Sequence, residues 1–263
     1  MHRQPAFKNV LPGERGAVLW LWPGQALYAG PSLDLDMHAG SVACLAVGVD
    51  APFSVRAEGG QAIAARTALV PPRLSHQLVA GGDQMVFCYL DPASRRARAC
   101  HAEMTSEGGG FLLGHRAEER LIRLGEAIAE SGEEWLRTAA PVAASARADE
   151  RIRAATRRLL DQPESLISAD EMAAAAGLSR SRFLHLFKAQ TGTSFRRYRL
   201  WTRMLRAASL LDAGHDLTTI AAESGFATPS HLSSAFHGMF GLTPSRLLSA
   251  GLTIRITSFQ ADQ

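Results

Sequence analysis

The C-terminal half of this 263-residue chain contains an internal repeat, which constrains the fold more than any other sequence feature. Residues 172–178 (MAAAAGL) match residues 220–226 (IAAESGF), and a Phe-x4-Gly pattern at 187–192 recurs at 236–241. Each copy is typical of a helix, a tight turn at glycine and a second helix, with alanines where the two helices cross closely. The repeat therefore predicts two helix-turn-helix units.

Helix start signals agree with this division. Ser168 and Glu171 have the spacing of a capping box, and Asp149 can cap an earlier helix. Thr-Pro pairs at 228–229 and 243–244 each place a cap residue before a proline at the first helical position. We therefore expect nearly all of the chain from residue 149 onward to be helical.

Charge is distributed unevenly along the chain. Residues 1–146 hold 13 basic and 15 acidic side chains, whereas residues 147–263 hold 15 and 10. Between residues 172 and 211 there are eight basic residues and no acidic one. The net charge of +3 for the whole chain hides this basic block, which favours a polyanionic partner such as double-stranded DNA.

The N-terminal half is strand-rich. Short apolar segments separated by turn signals predict a small antiparallel barrel or sandwich, with strands at 42–49, 53–56, 68–70 and 85–90. From residue 116 the apolar spacing predicts an amphipathic helix that breaks near Ser131-Gly132. Residues 138–148 are small and poor in core side chains, so they are the predicted linker.

Cysteine content and apolar run lengths indicate the class of protein. Cys44 and Cys88 lie in apolar strand sequence and are expected to be buried thiols, while three nearby arginines could lower the pKa of Cys100 and make it a redox sensor. No signal-peptide-length apolar run opens the chain, and none approaches the ~20 residues of a membrane span. We expect a cytoplasmic protein without a cofactor or membrane partner.

The C-terminal motifs resemble those of the AraC/XylS-type transcriptional regulators. The resemblance spans about residues 149–250, and its most specific parts are Gly225-Phe226 and the FGLTP segment at 240–244. It implies a two-domain α+β protein. Residues 1–140 would form a small antiparallel, cupin-like β-barrel with helices, which binds an effector and dimerises. Residues 149–255 would form an all-α DNA-binding domain with two helix-turn-helix units joined by a long helix.

Helical periodicity then selects the side chains that would meet DNA, opposite a core face that includes Phe183 and Phe187. The candidates are Arg180, Ser181, Leu184, His185 and Lys188 in the first recognition helix, Ser230, Ser233, Ser234 and His237 in the second, and Arg196 and Arg197 in the joining helix. The positions of Ser234 and His237 are often Arg or Lys in the family, so the second unit is expected to read DNA through hydrogen bonds and shape. With no acidic residue nearby in sequence, some arginines of the joining helix should reach phosphates.

The N-terminal half offers two candidate effector-pocket residues, His38 and His76. Metal-binding cupin enzymes are similar in using histidines and a carboxylate, but this sequence keeps only fragments of that pattern.

The sequence as a whole favours a non-enzymatic, sequence-specific transcriptional regulator, either activator or repressor. It would form a homodimer through helices in residues 117–136, respond to a small effector, and contact RNA polymerase if it activates. The alternatives are a cupin-type metalloenzyme fused to a DNA-binding module and a non-specific nucleoid-type protein.

Overall fold

A computed structural model describes residues 16–141 and 149–257. The strands are β1 (Val18–Trp22), β2 (Gln25–Pro31), β3 (Ala43–Gly48), β4 (Phe53–Ala57), β5 (Ile63–Ala65), β6 (Thr67–Val70), β7 (His76–Ala80), β8 (Gln84–Leu90), β9 (Met104–Gly108), β10 (Phe111–His115) and β11 (Thr253–Ile256). The helices are α1 (Arg95–Ala102), α2 (Glu118–Glu126), α3 (Ile128–Ala139), α4 (Glu150–Asp161), α5 (Ala169–Ala175), α6 (Arg180–Thr191), α7 (Phe195–Asp212), α8 (Leu217–Glu223), α9 (Pro229–Phe240) and α10 (Pro244–Ser249). All four strands predicted from the sequence are present, and the sequence reading missed the others.

The strands form two sheets, so the predicted barrel is not closed. An eight-stranded sheet has the order β11-β1-β2-β8-β3-β6-β10-β9, and a three-stranded sheet has the order β5-β4-β7. The barrel stays open because, in the described chain, no strand of the small sheet pairs with a strand of the large sheet. Tyr28 and Phe87 of the large sheet and Val55 and Leu78 of the small sheet share one buried core between the two.

Helices α2 and α3 cover the outer face of the large sheet. The indole N–H of Trp20 donates to the carbonyl of Ile128 at 3.2 Å, and Trp135 donates to that of Leu121 at 3.0 Å. The break between the helices falls at Ala127, so the prediction of a break at Ser131-Gly132 is wrong. Gly132 instead permits close packing, because a Cβ there would lie 2.4 Å from the Trp20 ring.

The predicted linker overlaps the described structure only at its start. Residues 138 and 139 still belong to α3, and residues 142–148 lie outside the described residues. No helix within the described ranges is both long and apolar enough to cross a membrane.

The C-terminal part is helical from residue 150 to residue 249, as the capping signals predict. The Ser168 hydroxyl accepts from the Glu171 N–H and the Glu171 carboxylate accepts from the Ser168 N–H, which completes the capping box. Thr228 and Thr243 cap α9 and α10 with proline at the start of each helix. Gly192 ends α6 in the left-handed conformation, with φ of 69°.

The helical part packs directly on the large sheet. Trp201 of α7 donates from its indole to the carbonyl of Gly24 at 3.0 Å, and the Tyr198 hydroxyl donates to the buried carboxylate of Asp91 at 2.9 Å. Beyond α10 the chain returns as β11, which pairs in parallel with β1. These contacts hold α7 and β11 against the N-terminal part.

Candidate nucleic-acid interface

The first helix-turn-helix unit consists of α5 and α6, with Gly177 at the turn in a left-handed conformation (φ 64°). Phe183 and Phe187 of α6 are fully buried and contact Phe195 and Tyr198 of α7 through edge-on and tilted ring contacts. This aromatic cluster fixes the rotation of α6 about its own axis. The opposite face of the helix is therefore held toward solvent.

That opposite face carries the residues predicted from the sequence. Ser181, His185 and Lys188 are exposed, and Leu184 is half-buried against the core. Arg180 is exposed too, and its guanidinium lies 3.5 Å from the carboxylate of Asp170. The face offers hydroxyl, imidazole and ammonium groups beside a guanidinium, which suits hydrogen bonds to base edges and phosphates.

The arginines of the joining helix α7 have different environments. Arg196 is exposed, whereas Arg197 is half-buried and donates to the carbonyl of Ala39 at 3.2 Å. Arg199 and Arg203 donate to the backbone carbonyls of Ile167 and Pro163, within the helical part.

Arg206 departs from the sequence expectation that these arginines lack an acidic partner. Its guanidinium lies 3.6 Å from Glu223 of α8, which the fold brings back along α7. Of the five arginines, Arg196 therefore has the clearest access to a phosphate.

The second unit consists of α8 and α9, with its turn at Gly225 (φ 77°). Ser230 and Ser234 are exposed and Ser233 is half-buried, so they remain accessible. His237 is engaged differently, because its Nε2–H donates to the carboxylate of Asp36 at 3.0 Å. In this conformation the His237 ring is paired with the N-terminal part, although 44% of the side chain stays exposed to solvent.

Sequence reasoning also missed a cation beside the second recognition helix. Arg246 in α10 donates to the Asp34 carboxylate at 2.6 Å. Nothing local in the sequence relates these two residues, which are 212 positions apart. The one sequence signal for Arg246 is its place in the first turn of a predicted helix, where a basic residue is unfavourable unless it has a partner.

The candidate effector residues His38 and His76 are buried together inside the N-terminal part. Their backbones form an isolated β-bridge, their rings lie 4.3 Å apart, and each Nδ1–H donates to a nearby carbonyl. Burial, followed by the neighbouring His76, lowers the pKa of His38 to about 4, and burial lowers the pKa of His76 as well. Both rings line a small cavity that also touches Met239 of α9.

Within residues 16–141 and 149–257, no three His, Cys, Asp or Glu side chains lie close enough together to hold a metal ion. The expectation of buried thiols at Cys44 and Cys88 is confirmed. The redox hypothesis for Cys100 is wrong in its premise, since this thiol is fully buried and burial raises its pKa to about 12. The arginines next to it in sequence do not offset the loss of hydration.

A larger cavity separates the second unit from the large sheet. It has a volume of about 110 Å³ and opens partly to solvent, and apolar side chains from both sides line it. Leu21 and Tyr89 contribute from the sheet, and Trp201, Phe236 and Leu247 contribute from α7, α9 and α10. The inner face of the second recognition helix is thus one wall of the cavity.

Comparison with known proteins agrees with this geometry. Residues 172–250 match the family model described as a helix-turn-helix domain. The chain is 29% identical over 104 residues to the HTH-type transcriptional regulator MtrA of Neisseria gonorrhoeae, covering 39% of this chain and 35% of that protein. It is 35% identical over 98 residues to RipA of Corynebacterium glutamicum, covering 37% and 30%. The chain thus matches about a third of the length of these relatives.

Solved structures extend the likeness to both parts of the fold. ToxT from Vibrio cholerae O395 superposes with a TM-score of 0.57 at 13% identity, covering 86% of this chain and 98% of ToxT. ToxT of strain SCE256 bound to an unsaturated fatty acid gives a TM-score of 0.51 at 12% identity, covering 85% and 94%. At such low identity these structures show the shared fold alone. The relatives and the repeat together identify the C-terminal part of this chain as a helix-turn-helix domain of the AraC type.

Proposed function

We propose that this protein is a sequence-specific, DNA-binding transcriptional regulator whose DNA-binding domain spans residues 149–255. The main support is the exposed polar face of α6. An aromatic cluster on the opposite face of the helix keeps this face toward solvent, and the surrounding sequence is rich in basic and poor in acidic residues. A second recognition helix, α9, offers Ser230 and Ser234 in the same way. Two such units joined by one helix suit successive major-groove segments about one helical turn (~34 Å) apart.

The contacting side chains have distinct proposed roles. Ser181 and His185 are placed to read base edges, with Leu184 able to contact a thymine methyl group. Lys188, Arg180 and Arg196 are proposed to contact phosphates. This electrostatic contribution to affinity does not depend on the DNA sequence and decreases as the salt concentration rises. The domain division and a homodimer through α2 and α3 also belong to this proposal, as does contact with RNA polymerase if the protein activates.

Selection of bound duplexes from a random pool by the full chain tests the proposal. We expect one enriched motif with a specificity ratio of ~10³ or more over unrelated DNA. The Ser181→Ala/His185→Ala variant should relax preference at particular base positions, whereas Lys188→Ala should weaken binding to all sequences alike. Equal affinity for every duplex would favour the nucleoid-type alternative, and stoichiometric iron or manganese in the purified protein would favour the metalloenzyme.

We also propose that a small hydrophobic effector binds the apolar cavity between the second unit and the sheet. Its apolar lining is typical of small-molecule sites, and α9 forms part of its wall, so occupancy can influence the recognition helix. ToxT structures hold an unsaturated fatty acid and a naphthalenyl butenoic acid. Among the residues that the structure describes, no basic side chain lines the cavity, so a ligand carboxylate would have to sit at its open side.

Binding of decanol and of decanoate, measured by calorimetry, tests the effector site. Ala208 lines the cavity, so Ala208→Phe should fill part of it and abolish binding of the ligand. Ala154→Phe, at an exposed position of α4, is the matched control and should leave binding unchanged. Equal binding by both variants would place the site elsewhere.

A further inference from the structure

Residues 33–40 connect the second strand to the third and reach the C-terminal end of α9; we call them the 33–40 loop. The loop carries two carboxylates, and both are paired across the domain boundary. Asp34 accepts from Arg246 at 2.6 Å, and Asp36 accepts from His237 at 3.0 Å. One acidic loop therefore binds a histidine of α9 and an arginine of α10.

Backbone hydrogen bonds align the loop with the end of the recognition helix. The Asp36 N–H donates to the carbonyl of Gly241 at 2.8 Å, and the Ala39 N–H donates to that of Gly238 at 3.3 Å. Gly241 must be glycine here, because its φ is 74° and a Cβ would lie 2.7 Å from the Asp36 carbonyl oxygen. The loop also occupies Arg197, which donates to the carbonyl of Ala39.

These partners are groups that a DNA duplex would use. His237 lies in the last turn of α9 and Arg246 in the first turn of α10, so both flank the helix that enters the groove. Arg246 and Arg255 are the only lysine or arginine residues from 213 to 263. The loop therefore neutralises one of the two fixed cations in residues 213–263, the one that lies directly after α9.

The loop and DNA compete for the same side chains. The carboxylates of Asp34 and Asp36 are largely exposed, so they would face the phosphates of an approaching strand with like charge. A duplex seated on α9 therefore has to displace the loop, which breaks the Asp34–Arg246 ion pair and the Asp36–His237 hydrogen bond. Binding of the loop and binding of DNA at this end of α9 exclude each other.

We propose that the 33–40 loop is an autoinhibitory latch that mimics DNA phosphate and holds the second helix-turn-helix unit closed. This inference rests on the proposed DNA-binding function. Each exposed contact contributes little stabilisation. The latch therefore reduces only modestly the fraction of molecules in which the loop has left α9, and DNA can displace it. First-unit residues such as Lys188 lie outside the latch and remain available for the initial encounter.

Neutralising the latch tests the proposal in the full chain. Asp34→Asn/Asp36→Asn keeps the loop length and removes both negative charges, and with them the Asp34–Arg246 ion pair. The matched control is Glu58→Gln/Glu107→Gln, which removes the same charge from exposed positions of the N-terminal part. Each protein is titrated by fluorescence anisotropy against the duplex enriched by the Asp34→Asn/Asp36→Asn variant, at several salt concentrations.

We expect the latch variant to bind this duplex about three- to tenfold more tightly than the unmodified protein, and the control to differ by less than about twofold. Equal affinity of the latch variant and the unmodified protein, with sequence preference retained, would overturn the latch alone. Absence of sequence preference in every variant would overturn the proposed function and the latch with it.

Hydrogen exchange provides a readout that does not depend on net charge. The Asp36 and Ala39 amides should exchange slowly in the free protein and faster when the duplex is bound, because DNA displaces the loop from Gly241 and Gly238. Exchange rates that DNA leaves unchanged would show that the loop stays in place, and would overturn the latch even if affinity rises.

Discussion

The buried hydrogen bond between Tyr198 and Asp91 makes a sharp prediction about how the two parts of the chain hold together. Asp91 directly follows strand β8 of the large sheet and Tyr198 belongs to α7, and both side chains are buried. The Asp91 carboxylate also accepts from the Ala93 N–H at 2.8 Å. Burial nevertheless raises the pKa of Asp91 to about 6, so desolvation outweighs these two donors.

The sign of the pH dependence follows from linkage. An ordinary aspartate titrates near ~3.9, so the folded protein binds this proton more tightly than the unfolded chain. The stabilisation from Asp91 is complete below pH ~4 and is lost as the pH rises to about 6, a change of roughly 3 kcal/mol. Burial of His38, whose pKa falls to about 4, has the opposite sign and stabilises the fold as pH rises toward 6.5.

The Tyr198→Phe variant removes the hydroxyl and little else. At pH 8 the Asp91 carboxylate is ionised and loses a donor, which costs about 1.5–3 kcal/mol of unfolding free energy. At pH 5 the folded protein largely carries a protonated Asp91, and the loss falls to about 1 kcal/mol. Tyr28→Phe is the matched control, since Tyr28 donates to the neutral carbonyl of Pro31 at 2.9 Å.

Urea denaturation followed by tryptophan fluorescence at pH 5 and pH 8 measures both variants. We expect the destabilisation by Tyr198→Phe to grow with pH and that by Tyr28→Phe to stay constant at about 1 kcal/mol. An equal loss for Tyr198→Phe at the two pH values would show that Asp91 does not ionise against this hydroxyl, and would refute the reasoning.

Three further predictions concern packing, charge and thiol reactivity. Gly132→Ala should destabilise the fold by about 1–3 kcal/mol in urea denaturation because its methyl group meets the Trp20 ring, whereas Gly238→Ala, in open space, should be neutral or mildly stabilising. Arg196→Ala should weaken DNA binding and reduce the salt slope by about 1, whereas Arg206→Ala, already paired with Glu223, should change it less; equal slopes would contradict the assignment. A thiol reagent should modify none of Cys44, Cys88 and Cys100 in the native protein and all three in urea, and rapid native labelling of Cys100 would contradict its burial.

Local interactions explain what the sequence could predict. A capping box, a Thr-Pro helix start and a glycine turn each depend on residues within a few positions, so α5, α8, α9 and α10 could be located without tertiary information. The repeat then identified the two helix-turn-helix units. Helical periodicity correctly put Phe183 and Phe187 in the core and Ser181, His185 and Lys188 on the outer face.

The errors arose where one residue can serve two purposes. Gly132 has the residue type of a helix breaker, but it lies inside α3. A glycine is needed there because the Trp20 ring occupies the space that a side chain would fill. Cys100 lies among arginines in sequence, yet burial and not charge sets its pKa. The N-terminal strands have the right pattern for a barrel, but pattern alone does not say which edges hydrogen-bond.

The sequence by itself determined the helix-turn-helix repeat, its basic first half and the candidate DNA-reading faces. Only the tertiary structure decided that Arg246 meets Asp34 across 212 residues, that β11 pairs with β1, and that an apolar cavity lies behind α9. The physical reason is the distance along the chain over which each interaction acts. Caps, turns and periodicity are fixed by neighbours along the chain, whereas ion pairs and cavities between domains depend on how separately formed surfaces pack.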